Sequence, residues 1–380
     1  MKKLKDFDFK EKRVLVRCDF NVPLSPEGEI LDDFRIRASL PTIKYLVENR
    51  AKIILISHLE TKGKLMSLKP IAFRLGELLK KEVKFLPDCV GKKIEIETKK
   101  MESADIVLLE NLRFYKEEEE NNTNFAKEIS KMGDFFINEA FSCSHRAHAS
   151  IVGIPKYLPK AAGLLLEKEI KVLSQILENP LRPFTAIIGG IKIETKIKTI
   201  LNILKKADHL LFGSKIGEVI LAQKMILSGR EFPEEKLIEK IDLTNPKIHL
   251  PLDGKIALKN LEENYLRTGG IGTLKKEEEI FDIGPETTRL FKEIIKEAKT
   301  ILWSGPLGMF EDKRFEMGTK EITQAIVKNY SAFKVAGGGE TILAINKFGL
   351  ADKFDFISTG GGAMLEFLAG EKLPGLSALE

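Results

Sequence analysis

Apolar residues along the chain fall in short runs rich in Val, Ile, Leu and Phe. Each run is followed by a glycine or polar turn and then by a stretch with helical spacing. In the first part the runs are RVLVR from 13, KIILIS from 52, DIVLLE from 105 and FFIN from 135. In the second they are FTAIIGG from 184, HLLFG from 209, TILWSG from 300, FKVAGGG from 333 and FDFISTGGG from 354. Runs that are apolar at nearly every position suit strands covered on both faces. The alternation with helical stretches predicts an α/β chain with doubly wound parallel sheets. Between the two sets, Leu165, Leu166, Ile170, Leu173 and Leu177 recur at helical spacing, with Asn179 and Pro180 closing the pattern. That spacing predicts one helix of about four turns joining two halves. The expected organisation is an N-terminal domain over 1–160, a joining helix over 161–179 and a C-terminal domain over 180–360.

A chain of 380 residues, 43% hydrophobic and 31% charged, is long enough for two separate cores. The net charge of +5 is spread along the chain, without the block of basic residues that nucleic-acid arms carry. Small anions are the expected partners, and neither nucleic acid nor a membrane is. The lysines of MKKLKDFDFKEKRVLVR have no apolar stretch behind them, so a cytoplasmic location is expected. Cys18, Cys89 and Cys143 have no metal or redox spacing and are expected as free thiols.

In open α/β sheets the ligand lies beyond the carboxyl ends of the strands. In the first half those ends carry charge: Arg17, Asp19 and Asn21 after the first run, His58 after the second, then Arg113, and His145, Arg146 and His148 in SHRAH. Arg35 and Arg37 follow the first turn. Guanidinium forks bind carboxylate and phosphate oxygens bidentately, so this collection suits a small molecule with several negative charges. Any one of these residues alone reads more simply as a surface ion pair. Cys143, His145 and His148 also admit a zinc reading, which lacks a committed fourth ligand.

In the second half the strand ends are glycine: Gly189 and Gly190, Gly213, Gly305, Gly337 to Gly339, and Gly360 to Gly362. Glycine lets backbone N–H groups approach phosphate oxygens at a helix N-terminus, so five such turns on one edge point to a nucleotide. GGIKIETK lacks the Lys-Ser/Thr pair of a Walker A loop, and no GxGxxG follows any strand. Lys192 and Lys196, four residues apart, are expected on one face of the helix that follows Gly190. An oligo-anion site in one half and a polyphosphate site in the other suit phosphoryl transfer, which is mostly positioning and charge neutralisation. No general base stands out at the strand ends, and an acceptor already ionised, such as a carboxylate, needs none.

At this point the chain resembles the phosphoglycerate kinase family along nearly its whole length. The stretches that carry the resemblance are VRCDFNVPL, RIRASLPTIKYL, ISHL, LLENLRFYKEEE, NEAF with HRAHAS, LLLEKEI, IIGG with Lys192 and Lys196, DIGPET, GPLGMFE, GGG before Glu340-Thr341, and ISTGGGA. The resemblance implies two Rossmann-like domains joined by a helix, an active site in the interdomain cleft, and residues 361–380 packing back onto the N-terminal domain. It implies reversible transfer of the acyl phosphate of 1,3-bisphosphoglycerate to ADP, giving 3-phosphoglycerate and ATP with Mg²⁺, by a monomer. Asp19, Asn21, Arg35, His58, Arg113 and Arg146 would hold 3-phosphoglycerate. Gly189, Gly190, Lys192, Lys196, Gly213, Pro306, Glu311, Gly337, Gly338, Gly339, Glu340 and Thr341 would bind the nucleotide, with Glu340 toward Mg²⁺. Arg35, Lys196, Gly338 and Gly361 would act on the transferring group.

Departures from the family pattern cluster near the sites. Thr195 stands where an Asp precedes the second lysine, Glu340 where an Asp follows the glycines, and Ser304 where an Asn precedes Gly-Pro. Lys215 falls in a glycine run, Glu60 and Thr61 replace a glycine and an arginine in SHLETK, and the stretch from Pro251 to Asp282 looks shortened and rewritten. Two alternatives therefore stand beside the kinase: a relative that mainly binds ligands with little turnover, and a kinase for another small acid.

Overall fold

The computed structural model describes residues 1–224, 241–261 and 265–380. The chain divides into two compact units, one of Met1–Lys171 with Lys372–Glu380 and the other of Val172–Glu371.

The first unit contains β1 (Arg13–Arg17), β2 (Lys52–Ile56), β3 (Glu60–Thr61), β4 (Lys64–Leu65), β5 (Lys84–Leu86), β6 (Ile106–Leu109), β7 (Phe135–Asn138) and β8 (Lys160–Ala162). Six of these pair in parallel in the order β5-β6-β2-β1-β7-β8, while β3 and β4 form a separate antiparallel hairpin. The continuous apolar runs have their physical cause in this sheet. Val14, Val16, Ile53 and Leu55 pack into one core with Ile36, Ile43 and Leu46 of the helix Phe34–Glu48 and with Ile71 and Leu75 of the helix Lys69–Leu79. Leu15 and Ile54, on the alternate positions, are also fully buried. Each such side chain contributes about 1.5–3 kcal/mol. Strand β1 pairs with β2 on one side and β7 on the other, so the order reverses there and the crevice opens beyond their carboxyl ends.

The second unit contains β9 (Phe184–Ile188), β10 (His209–Phe212), β11 (Ile248–His249), β12 (Asp253–Leu258), β13 (Leu266–Gly270), β14 (Glu278–Ile283), β15 (Thr300–Ser304), β16 (Phe333–Gly337) and β17 (Phe356–Ser358). Its parallel sheet runs β11-β10-β9-β15-β16-β17, with the reversal between β9 and β15. Trp303, Ile187, Phe291, Ile322 and Ile345 form its core.

Three features differ from the expectation. The edge strands β5, β8 and β11 are only two or three residues long and leave no apolar run to find. The rewritten stretch after Pro251 builds an antiparallel sheet, β13-β12-β14, whose half-exposed strands lack the signature of a covered parallel sheet. The segment that belongs to the first unit begins at Lys372, not at 361. The helix Gly362–Leu368 stays with the second unit because Thr199 Oγ1 donates to the Leu365 carbonyl (2.7 Å) and Asn202 Nδ2 to that of Leu368 (2.8 Å). The tail is anchored in the first unit by Gly375 N–H, which donates to the Ser144 carbonyl at 2.8 Å. The joining helix spans Leu164–Glu178, starting just after β8. Among the described residues no helix is long and apolar enough to cross a membrane.

Candidate active site

At the switch point of the first sheet, the turn after β1 folds back on itself through Asp19, whose Oδ1 accepts from the Asn21 N–H at 2.9 Å. The other carboxylate oxygen accepts from the Ser142 hydroxyl and lies 3.2 Å from Arg35 Nη1. Arg35 stands in the first turn of the helix Phe34–Glu48 and also donates to the Asn21 carbonyl at 2.8 Å. Burial alone would raise the Asp19 carboxyl, but Arg35, His58 and the Ser142 hydrogen bond outweigh it and lower the pKa to about 2. Asp19 is therefore a fixed anion whose work is to aim Arg35. Asn21 uses its side-chain oxygen on the Glu60 N–H (2.9 Å), which ties the β3–β4 hairpin to the same turn.

His58, after β2, is almost fully buried, and burial followed by the charge of Arg17 pushes its pKa well below the ordinary value. Its Nδ1 lies 3.3 Å from Arg17 Nη2. A guanidinium can only donate, so Nδ1 accepts and the ring proton sits on Nε2. Arg17 is itself buried and donates from Nε to Ser150 Oγ at 2.8 Å, and that hydroxyl donates to the buried carboxylate of Glu118 at 2.5 Å. This supporting chain of Glu118, Ser150 and Arg17, with Ser142, was not marked as such by the sequence; Ser142 stands two residues before the flagged SHRAH motif.

The zinc reading of Cys143, His145 and His148 does not survive. Among the described residues the cluster with metal-ligand proximity is Asp19, His58 and Cys143. The Arg17 guanidinium reaches into it, 3.8 Å from Cys143 Sγ, and burial raises the thiol pKa. A fixed cation and a protonated thiol make a poor metal site. His148 instead lies 4.0 Å from Glu118, and all three cysteines are buried and free.

Two further arginines complete the first site. Arg113 is nearly buried on the turn after β6 and pairs with Glu60 at 2.6 Å and Glu119 at 3.2 Å. Arg146 is exposed and donates from Nε to His145 Nε2 at 3.3 Å. Asp19, Asn21 and Arg35 are thus brought together by direct contacts, His58 lies within 4.8 Å of Asp19 on the arm of Arg17, Arg113 joins them through the hairpin, and Arg146 keeps a free approach to solvent.

At the switch point of the second sheet the groups are backbone. Gly189 N–H donates to the Ser304 carbonyl (2.9 Å) and Gly190 N–H to that of Pro306 (2.8 Å), which locks the turn after β9 to the turn after β15. Gly190 has φ +90, and a Cβ there would stand 2.6 Å from Lys196 Nζ, so the position admits only glycine without strain. Lys196 is buried, donates to the Gly189 carbonyl, and has its pKa lowered by burial against the opposing pull of Glu340. Thr341 Oγ1 accepts from the Gly305 N–H at 2.7 Å. Gly338, at φ +99, caps the helix Gly339–Lys347, which carries exposed Glu340 in its first turn. Gly361 caps the helix Gly362–Leu368, and Gly337 packs against Met364 and Ser358.

Beside these turns lies a half-open pocket of about 160 Å³. Gly190, Pro306, Glu311 and Glu340, all expected for the nucleotide, line it, together with Lys215, Glu279, Phe281 and Met309. Lys215, flagged as a departure, is held by Glu279 (3.3 Å) and Glu218 (3.4 Å). Gly213 sits behind the pocket, close against Gly189. Glu279 and Phe281 come from β14, in the rewritten region where no motif pointed to a site.

One expectation fails here. Lys192 and Lys196 do not share a helical face, because the helix begins only at Ile197. The Thr195 hydroxyl donates to the Lys192 carbonyl at 3.0 Å and the Lys196 N–H to that of Ile193 at 2.8 Å, making a turn in place of a helix. Lys196 therefore turns inward while Lys192 stays exposed.

Doubly wound sheets with a cation-lined switch point in one unit and a glycine-lined switch point beside a pocket in the other define an α/β enzyme for small anionic ligands. The family model for phosphoglycerate kinase matches residues 4–371. The chain is 45% identical to a phosphoglycerate kinase of Dictyoglomus turgidum over 99% of its length and 98% of the relative's. It is 46% identical to that of Borrelia garinii subsp. bavariensis, over 100% of its length and 99% of the relative's. The solved structure of phosphoglycerate kinase from Pyrococcus horikoshii superposes with a TM-score of 0.87 at 34% identity, covering 100% of this chain and 98% of that one. That from Coxiella burnetii gives 0.82 at 36%, with the same coverage. The chain belongs to the phosphoglycerate kinase family.

Proposed function

We infer that the chain is a glycolytic phosphoglycerate kinase, an ATP-dependent phosphotransferase that moves the acyl phosphate of 1,3-bisphosphoglycerate to ADP and back. The observation that supports this is joint: the similarity runs the full length of the chain, and the motif residues named from the sequence stand on turns after strands of the two parallel sheets. Asp19, Asn21, Arg35, His58, Arg113 and Arg146 hold 3-phosphoglycerate. His58, neutral with its proton on Nε2, is a donor there, and Arg35, aimed by Asp19, meets both the acid and the transferring group. The acceptor carboxylate is already ionised, so no side chain has to remove a proton.

On the nucleotide side, Pro306 and Glu311 with their pocket take the adenosine. The turns at Gly189–Gly190, Gly213 and Gly337–Gly339, with Glu340, Thr341 and Lys192, border the phosphates. Lys196, Gly338 and Gly361 present donors where charge develops on the phosphoryl group, a role close to that of an oxyanion hole. Glu340, an exposed carboxylate in a helical first turn beside the pocket, suits Mg²⁺, which takes one or two carboxylates together with phosphate oxygens and water. When bound, the ion supplies charge neutralisation to the nucleotide phosphates. Direct transfer needs water excluded and the two ligands brought together, so the cycle includes a hinge-bending step. The enzyme works as a cytoplasmic monomer.

The test is ATP-dependent formation of the acyl phosphate from 3-phosphoglycerate, coupled to dehydrogenase oxidation of NADH. Turnover is expected. Measurable ATP binding with no turnover, for any of several nucleotides, would favour the binding-only relative.

A further inference from the structure

The β3–β4 hairpin carries a charge of the wrong sign for an anion site. Its Glu60 Oε2 lies 2.6 Å from Arg113 Nη1, and Arg113 is only 7% exposed. Glu119 approaches the same guanidinium, with Oε1 3.2 Å from Nε, at an angle that leaves the Nε hydrogen without an acceptor. The Thr61 hydroxyl, next in the hairpin, is likewise buried without a partner. A nearly buried guanidinium with one arm taken by a carboxylate and one hydrogen unpaired is set to exchange partners for an anion that satisfies both.

Glu60 is not a loose surface group that happens to reach the arginine. Its N–H donates to Asn21 Oδ1 at 2.9 Å, and Asn111 Nδ2 donates to the carbonyls of Leu59 (2.6 Å) and Met66 (2.7 Å), which clamps the base of the hairpin. The tight turn at Lys62 and Gly63, both with positive φ, fixes the strand register that points Glu60 at Arg113. The backbone clamp uses no atom of the Glu60 side chain, so the carboxylate can be changed without unpinning the hairpin.

We propose that Glu60 is a specificity-determining residue: an internal carboxylate that competes with the substrate for Arg113 and weakens the hold of the site on strongly charged acids. This rests on the reading of the first unit as the acid site. A ligand with a phosphate must displace Glu60 before it can take the Arg113 fork, so the affinity for such ligands is set by the difference between two ion pairs.

The test is calorimetric titration of the full chain, free of nucleotide, with 3-phosphoglycerate and separately with inorganic phosphate. Glu60→Gln is expected to tighten both by about fivefold or more, since it removes a competing charge beside a nearly buried cation. Glu119→Gln, at a more exposed carboxylate, changes them by about twofold at most. In an Arg113→Lys background the gain from Glu60→Gln disappears, because the two residues act as a coupled pair. In turnover, the gain appears as a lower KM for the acid with kcat within about twofold. Unchanged or weaker binding by Glu60→Gln overturns the proposal and makes Glu60 a support that holds Arg113 in place. Should that variant fail to fold, Glu60→Gly reads the same competition. A wild type that binds phosphate but does not turn over defeats the proposed function alone, whereas turnover with no tightening in the variant defeats this inference alone.

Discussion

At the carboxyl edge of the first sheet the groups proposed to meet the substrate are side chains. Arg35 and His58 are each positioned by another side chain, Asp19 and Arg17, while Arg113 is engaged by Glu60 and the exposed Arg146 reaches His145. At the same edge of the second sheet they are mostly backbone, locked by amide-to-carbonyl bonds between the turns at Gly189–Gly190 and Ser304–Pro306, with Lys196 as the buried cation beside them. The difference follows from the ligands. A small acid of varied shape is recognised by forks aimed at particular oxygens, whereas a polyphosphate chain is cradled by amides that need close approach and no side chain between. It also sets how each site fails: the first loses affinity one charge at a time, and the second fails when its turn is filled or its lysine removed.

The largest effect is expected at the lysine. Lys196→Met should lower kcat by about 10³-fold, the cost of removing a preorganised donor aimed at developing charge, with little change in the affinity for 3-phosphoglycerate. Steady-state kinetics with both substrates varied will show it. A loss in KM for the acid alone would place Lys196 on the wrong side of the comparison.

A second effect belongs to the first unit and depends on pH. The Asp19 carboxyl is held at about 2 against an ordinary 3.8, so its stabilisation is present above the ordinary value and is lost as the pH falls through the folded one. The shift corresponds to about 2 kcal/mol. Urea unfolding of wild type and Asp19→Asn should therefore show a stability gap at pH 6 that shrinks by about that amount by pH 2. A gap that is constant with pH would mean that Asp19 is not held as a fixed anion.

The smallest effect is expected where the sequence drew most attention. Thr195 stands exposed in the turn before the helix Ile197–Leu204, its hydroxyl spent on the Lys192 carbonyl. Thr195→Asp should change kcat by less than about threefold. A tenfold rise would show that a carboxylate at this position was limiting the chemistry.

The same contrast explains what was legible in the sequence. The central strands β1, β2, β9 and β15 could be read because burial on both faces leaves an unbroken apolar run, as in Val14–Val16 and Ile301–Trp303. Edge strands such as β11, with two half-exposed residues, leave no such trace. Asp19, Arg35 and His58 stood out because charge at a strand end is conspicuous, and the glycine turns did because five of them lie on one edge. Arg17 stood out as a charge, but its role in setting the tautomer of His58 is a matter of side-chain packing that no spacing encodes. Glu279 and Phe281 reach the pocket beside the glycine turns from an antiparallel sheet that a parallel-sheet pattern cannot anticipate. The helical face drawn for Lys192 and Lys196 failed because a threonine hydroxyl competed for the backbone and delayed the helix.

The most direct test of two separate sites with different chemistry is calorimetric titration of Arg35→Met with 3-phosphoglycerate and with ADP. The separation of the two sites predicts that the acid binds at least tenfold more weakly than to wild type while ADP affinity stays within about twofold. Equal losses for both ligands, or unaltered binding of the acid, would contradict it.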